Sequence, residues 1–100
     1  MKRQEPKTRC RTPNAQGVTN IPKWKFEALR AAILDAIDHA GPSGLLFKDI
    51  NEAVKTRLTQ DQLSRLGSVG WHATSVKLEL EVAGEIKRVA KSSPQRIIKA

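Results

Sequence analysis

Apolar residues recur every three or four positions in two parts of the chain, which is the spacing of one face of an α-helix. The first part begins after Pro22 and stops at Gly41-Pro42, a strong helix end. The second covers residues 48–58. A third helix is predicted over residues 71–83, where Gly84 closes it. The pattern therefore predicts three full helices.

Shorter signals fill the gaps between these helices. Thr59-Gln60-Asp61-Gln62 matches the capping-box pattern and predicts a short helical turn behind it. Leu45-Leu46-Phe47 is too short for a helix and predicts a strand stub. Two β-rich runs, 86–89 and 96–99, flank the turn residues Lys91-Ser92-Ser93-Pro94 and predict a hairpin.

Length and composition fit one small domain. The chain has 100 residues, 39% of them hydrophobic, which suffices for one core and not for two. Residues 1–19 carry almost no large apolar side chain and are expected to form a mostly flexible, basic N-terminal arm. A segment near Val18 and Ile21 is the one part of it expected to dock. The domain itself is predicted over residues 20–100.

The net charge of +8 is concentrated at the two ends of the chain. Residues 1–25 hold seven cations and one acid, and residues 86–100 hold five cations and no acid. Residues 26–85 hold six cations and nine acids, so the middle is acidic. Basic ends attract polyanions, nucleic acid among them, through counterion release. The alternative is that the charged ends only keep a small protein soluble.

The order helix, strand stub, helix, turn, helix, β-hairpin resembles the winged helix-turn-helix domain over residues 23–99. The most specific part is residues 76–88, where the third helix ends at Gly84 and turns into the first wing strand. The Gly70-Trp71 pair is similar to one found in small uncharacterised bacterial winged-helix proteins. The resemblance implies an α+β, mostly α fold: a three-helix winged helix-turn-helix with a short strand and a C-terminal β-hairpin wing.

The resemblance also implies that the third helix enters the major groove of DNA. Its implied core-facing residues are Ala73, Val76, Leu80 and Ala83. Its opposite side then presents Trp71, Thr74, Ser75, Leu78, Glu81 and Val82. None of these is an Arg, Lys, Asn or Gln, the usual readers of guanine and adenine, and Lys77 lies nearer the core. Glu79 and Glu81 would be repelled by phosphates. The third helix is therefore expected to read bases poorly.

The predicted wing is the better candidate for contact with nucleic acid, through phosphates or the minor groove and with low sequence specificity. The arm cations Lys2, Arg3, Lys7, Arg9 and Arg11 would add to it. Together with polar residues of the third helix, the candidate nucleic-acid-binding residues are His72, Thr74, Ser75, Lys87, Arg88, Lys91, Arg96 and Lys99.

A second, narrow apolar stripe on the third helix is a candidate interaction surface. It consists of Trp71, Leu78 and Val82, beside Ser75. Apolar residues on both sides of a helix imply that both sides are covered. Three covers stay open: the arm or second helix of the same chain, a partner that is a second copy or another protein, or a thymine methyl group in the groove.

No pattern of residues supports catalysis. His39 and His72, the two imidazoles, both fall at predicted helix ends and lack metal-ligand spacing. Cys10 stands alone, without a second cysteine for an internal disulfide. We therefore expect no enzyme activity, metal, cofactor or small-molecule substrate. No apolar run could span a bilayer and no signal peptide follows Lys2 and Arg3, so we expect a cytoplasmic protein without a membrane partner.

Two functions from different classes stay open. The first is a winged-helix DNA-binding module of the transcription-regulator type, which contacts the phosphate backbone of double-stranded DNA through its basic wing and arm. The second is a protein-interaction or dimerisation module that keeps the scaffold without binding DNA. The basic C-terminal region favours the first. The acidic middle and the apolar stripe favour the second.

Overall fold

The structure is a computed structural model that describes residues 7–11, 18–90 and 94–100. The fold is α+β and mostly helical, as the sequence predicts. In chain order the elements are β1 (Lys7–Arg11), β2 (Val18–Pro22), α1 (Lys23–Ala40), β3 (Leu45–Leu46), a 3-10 turn (Phe47–Asp49), α2 (Ile50–Arg57), α3 (Gln60–Leu66), α4 (Val69–Val82), β4 (Ile86–Arg88) and β5 (Arg96–Lys99).

Side-chain caps fix where α3 and α4 begin. The predicted capping box of α3 is complete: Thr59 Oγ1 accepts a hydrogen bond from the Gln62 backbone at 3.1 Å, and Gln62 Oε1 accepts one from the Thr59 backbone at 2.9 Å. Helix α4 starts at Val69, two residues before the predicted start. The reason is that the Ser68 hydroxyl accepts from the Trp71 backbone N–H at 3.2 Å, so that Ser68 is the N-cap and the helix begins at the next residue.

The C-terminal hairpin, formed by β4 and β5, takes β3 as its third strand. Both pairings are antiparallel and the strand order is β3-β5-β4, with Ile97 in register with Leu45 on one side and Arg88 on the other. The chain passes from α4 into β4 through Gly84, whose φ of +79° suits glycine. The predicted strand stub and hairpin are thereby confirmed, and together they form one three-stranded sheet.

The core lies between the helices and is closed at one end by this sheet. Its largest fully buried side chains are Ile21, Leu29, Ile33, Val54, Leu66, Val76, Leu80, Ile86 and Ile97. Three of the four residues of α4 implied to face the core, Ala73, Val76 and Leu80, do so. Ala83 does not: it is exposed, because it is the C-cap residue at which the backbone leaves the helix.

The expected flexible arm over residues 1–19 is described only at residues 7–11 and 18–19, and there the chain forms the strands of an N-terminal hairpin. Residues 1–6 and 12–17 of the arm lie outside the described residues. Strands β1 and β2 pair antiparallel with Thr8 in register with Ile21. Ile21 is fully buried, and β1 contacts both α1 and α4. The docked segment near Ile21 is confirmed. The strands were missed because backbone pairing and one buried isoleucine anchor a segment whose apolar content is low.

Candidate nucleic-acid interface

The C-terminal hairpin carries its cations on two different faces, because successive residues of a strand point to opposite sides of a sheet. Arg88 is in register with Ile97, and Lys99 with Ile86. Both isoleucines are buried, so this face of the sheet packs on the helices. Arg88 and Lys99 therefore lie on the helix-facing side, and the residues that alternate with them lie on the outward side.

The outward side carries Lys87 and Arg96, called the outward cations below. Lys87 is in register with Ile98, and Arg96 with Leu46, so each cation stands beside an apolar neighbour. Lys87 is exposed and Arg96 is partly exposed. Across the described part of the chain, no carboxylate lies within ion-pair distance of either outward cation. Their charge is free to meet an external anion.

The two helix-facing cations already hold carboxylates of the same chain. Arg88 Nε donates to Glu81 Oε1 at 2.6 Å, and Lys99 Nζ lies 2.6 Å from Asp38 Oδ1. Their side chains are 47% and 46% exposed, so both pairs border solvent. Of the four hairpin cations that the structure describes, two are therefore paired and two are not.

A polar cluster joins α4 to the base of the hairpin. This root cluster consists of Phe47, Lys77, Glu81 and Arg88. The Glu81 side chain is only 8% exposed and lies between two cations, with Lys77 Nζ 3.3 Å from Oε2 and Arg88 Nε 2.6 Å from Oε1. Lys77 Nζ stands 3.8 Å from the centre of the Phe47 ring, and the Arg88 guanidinium 5.4 Å from it. Glu81 therefore faces the hairpin base instead of an approaching phosphate.

Within the root cluster, burial has the largest effect on the pKa of Lys77. It lowers the pKa of the Lys77 ammonium, and the nearby Glu81 carboxylate offsets part of that effect. The hydrogen bond to Glu81 raises the pKa of Arg88. Among the described residues, the buried Oε2 of Glu81 accepts no hydrogen bond, so its contact with Lys77 is an ion pair alone.

The outward side of α4 carries the predicted polar candidates of the third helix. The His72 Nδ1–H donates to the Ser68 carbonyl oxygen at 2.6 Å, and its ring meets Trp71 edge-on with the ring centres 4.8 Å apart. Thr74 is exposed and Ser75 is partly buried. These side chains supply hydroxyl groups and one imidazole that is already hydrogen-bonded to the backbone. None of them can make the bidentate hydrogen bonds by which side chains distinguish bases.

The apolar stripe on α4 is only partly covered. Trp71 is 52% exposed and Val82 is 37% exposed, while Leu78 is partly buried. Strand β1 contacts α4 within the same chain, and Trp71 and Val82 nevertheless remain accessible.

The remaining predicted cations belong to the tip of the expected wing and to the N-terminal arm. Lys91, at the predicted tip of the wing, and the arm cations Lys2 and Arg3 lie outside the described residues. The arm cations of β1 occupy alternate strand positions, with Lys7, Arg9 and Arg11 in register with Pro22, Asn20 and Val18.

Sequence reasoning missed the root cluster. The four-residue spacing of Lys77 and Glu81 on one helix was a usable signal, because such pairs meet on a helix surface. Nothing local to Phe47 or Arg88 indicated their part in it. That depends on the register of β3, β5 and β4, which brings distant residues together.

Among the described residues, no group of three or more His, Cys, Asp or Glu is arranged to hold a metal ion. None of the described helices has the length and apolar character to cross a membrane.

Comparison with known proteins matches most of the chain to one family. A family model with the description "Family of unknown function (DUF6958)" matches residues 7–97. The matched range runs from β1 into β5, so the N-terminal hairpin is included with the helices and the sheet. No curated protein and no solved structure matches the chain.

Proposed function

Since this chain belongs to DUF6958, a family of unknown function, we propose its function from its surface chemistry: it is a winged-helix DNA-binding module of the transcription-regulator type. The C-terminal hairpin acts as the wing, and its outward cations contact the phosphate backbone of double-stranded DNA. The observation that carries this proposal is the position of Lys87 and Arg96 on one sheet face, where neither has a carboxylate partner among the described residues.

The affinity of such a site comes from counterion release and falls with salt by about 0.9 log units per decade of salt for each phosphate neutralised. The basic residues of β1 and Lys91 add further contacts. Phosphate contacts carry no sequence information directly, and the outward side of α4 offers no bidentate base reader. The module therefore binds DNA with low sequence specificity, which implies a cytoplasmic protein that meets the chromosome.

Fluorescence anisotropy with a short random-sequence duplex tests the proposal over about 50 to 200 mM salt. The variant Lys87→Gln/Arg96→Gln removes the outward cations and is expected to flatten the salt slope by about 1.8, two phosphates at about 0.9 each. The matched control is Lys23→Gln/Lys55→Gln. It removes the same charge from two exposed helix positions, each paired with a glutamate, and leaves the slope nearly unchanged. Absence of saturable binding by the wild type at low salt rejects the proposal.

The exposure of Trp71 and Val82 on α4 favours a second candidate function, a dimerisation module in which two copies bury these side chains against each other. Sedimentation equilibrium of the wild type and of Trp71→Ala distinguishes the two. A concentration-dependent dimer that Trp71→Ala dissociates supports this second function. A wild-type monomer over the whole concentration range removes it.

A further inference from the structure

Arg88 is a half-exposed guanidinium on the wing whose charge is already satisfied by Glu81. Carboxylates and phosphates present the same kind of anionic oxygens to a guanidinium, and arginine binds both with the same donor geometry. A phosphate that reaches the wing therefore competes with Glu81 for Arg88. Arg88 cannot contact a DNA phosphate while its guanidinium is bound to Glu81.

Arg88 can leave Glu81 for a phosphate because Glu81 is also paired with a second cation. Lys77 Nζ lies 3.3 Å from Glu81 Oε2, and the side chains of both residues are less than one-tenth exposed. A buried carboxylate stripped of its only partner would be strongly destabilising. Here the departure of Arg88 leaves Glu81 paired with Lys77, which in turn rests on the Phe47 ring.

We propose that Glu81 is a built-in competitor for phosphate that masks Arg88, a third phosphate contact of the wing that lies on the opposite side of the sheet from Lys87 and Arg96. This inference rests on the proposed DNA-binding function. It makes affinity for DNA depend on the Glu81–Arg88 contact: whatever weakens that contact adds one phosphate contact to the interface. The two outward cations stay available in both states, because neither has a carboxylate partner among the described residues.

The test removes the competitor without changing the net charge. In Lys77→Met/Glu81→Gln, one cation and one anion are lost together, so a rise in DNA affinity cannot come from overall charge. Methionine also packs well against an aromatic ring, which keeps the contact with Phe47. The matched control is Lys55→Met/Glu52→Gln, the same two substitutions in an exposed ion pair of α2.

Anisotropy titrations with the random-sequence duplex are expected to show a salt slope steeper by about 0.9 for Lys77→Met/Glu81→Gln than for the wild type. Across a fourfold rise in salt, that is about three- to fourfold more loss of affinity. Adding Arg88→Gln to this variant should abolish the gain, whereas Arg88→Gln in the wild-type background should cost less. The control variant should match the wild type.

Circular dichroism melts establish that each variant is folded. Should Lys77→Met/Glu81→Gln unfold, Glu81→Gln alone serves, since it also removes the carboxylate charge that holds Arg88, and the same Arg88-dependent gain is expected. If the wild type binds DNA and neither variant gains affinity through Arg88, this inference is overturned and the proposed function stands. If only the variants bind, the proposed function fails for the native chain and the masking of Arg88 is upheld. If none binds, both are overturned.

Discussion

Gly44 lies directly against the backbone of Ile97 in the central strand of the sheet. A side chain at Gly44 would place its Cβ 2.8 Å from the Ile97 carbonyl oxygen and 2.9 Å from Cγ2 of Ile98. The Gly44 backbone also has a φ of +93°, which L-residues with side chains rarely adopt. Close approach and conformation together explain why the chain enters β3 through a glycine.

Replacement of Gly44 by alanine should therefore destabilise the fold by at least about 2 kcal/mol, from backbone strain and the collision with β5. Gly84→Ala is the control, because Gly84 has a φ of +79° at the end of α4 and open space where a Cβ would stand. We expect it to lose only about 1 kcal/mol. Urea denaturation measures both, and equal losses would show that the approach to Ile97 carries no cost.

Local signals predicted the helices and the sheet, and long-range register decided the rest. The end of α1 at Gly41-Pro42 and the capping box at Thr59 can each be recognised from a few adjacent residues, and a short sequence window is enough to predict them. The N-terminal hairpin cannot be predicted from such local signals, because its strands gain stability from pairing and from the burial of Ile21. The apolar content of a segment does not reveal that.

The candidate site, too, has residues that the sequence predicts and features that only the folded structure reveals. Lys87 and Arg96 were predicted from charge alone, and the structure places them on one face. The sequence could not separate them from Arg88 and Lys99, because that depends on which strand face packs on the helices. Glu81 falls on the outward side of a helical projection of α4, yet the hairpin folds back over it. A helical projection cannot represent the strand that covers it.

Anchoring of the N-terminal hairpin by Ile21 can be measured directly. Ile21→Ala removes a fully buried side chain and should reduce the free energy of unfolding by about 2 to 4 kcal/mol. Asn20→Ala, at the exposed neighbouring position, should change it by less than about 0.5 kcal/mol. Hydrogen exchange at the amides of β1 should also become faster in Ile21→Ala. If the two variants unfold at the same urea concentration, the hairpin is not anchored by Ile21.

The α3 cap is a separate, local contribution. Thr59→Ala removes the hydroxyl that accepts from the Gln62 backbone N–H, and is expected to cost about 1 kcal/mol. Thr74→Ala is the matched control: the same substitution at an exposed position inside α4, where alanine is at least as good a helix former. Thermal unfolding of the two variants should separate them, and a Thr59→Ala protein as stable as Thr74→Ala would contradict the capping role.

Acid sensitivity of the fold should depend on Asp35. Arg57 Nε donates to Asp35 Oδ2 at 2.7 Å, and this hydrogen bond holds the pKa of the Asp35 carboxyl below its ordinary value, with smaller contributions from His39 and Lys99. A carboxyl whose pKa is lower in the folded state binds fewer protons there than in the unfolded chain. Its contribution is therefore complete above the unfolded pKa of about 3.9 and is lost as the pH falls through the folded value.

Wild type and Asp35→Asn should accordingly differ most in melting temperature near pH 6, by about the same amount down to pH 5, and converge as the pH falls below about 4. Arg57→Gln keeps the carboxyl and removes the donor, so its melting temperature should follow the pH dependence of Asp35→Asn. A gap between wild type and Asp35→Asn that stays constant from about pH 6 to pH 3 would show that the Arg57 contact does not shift the carboxyl's titration.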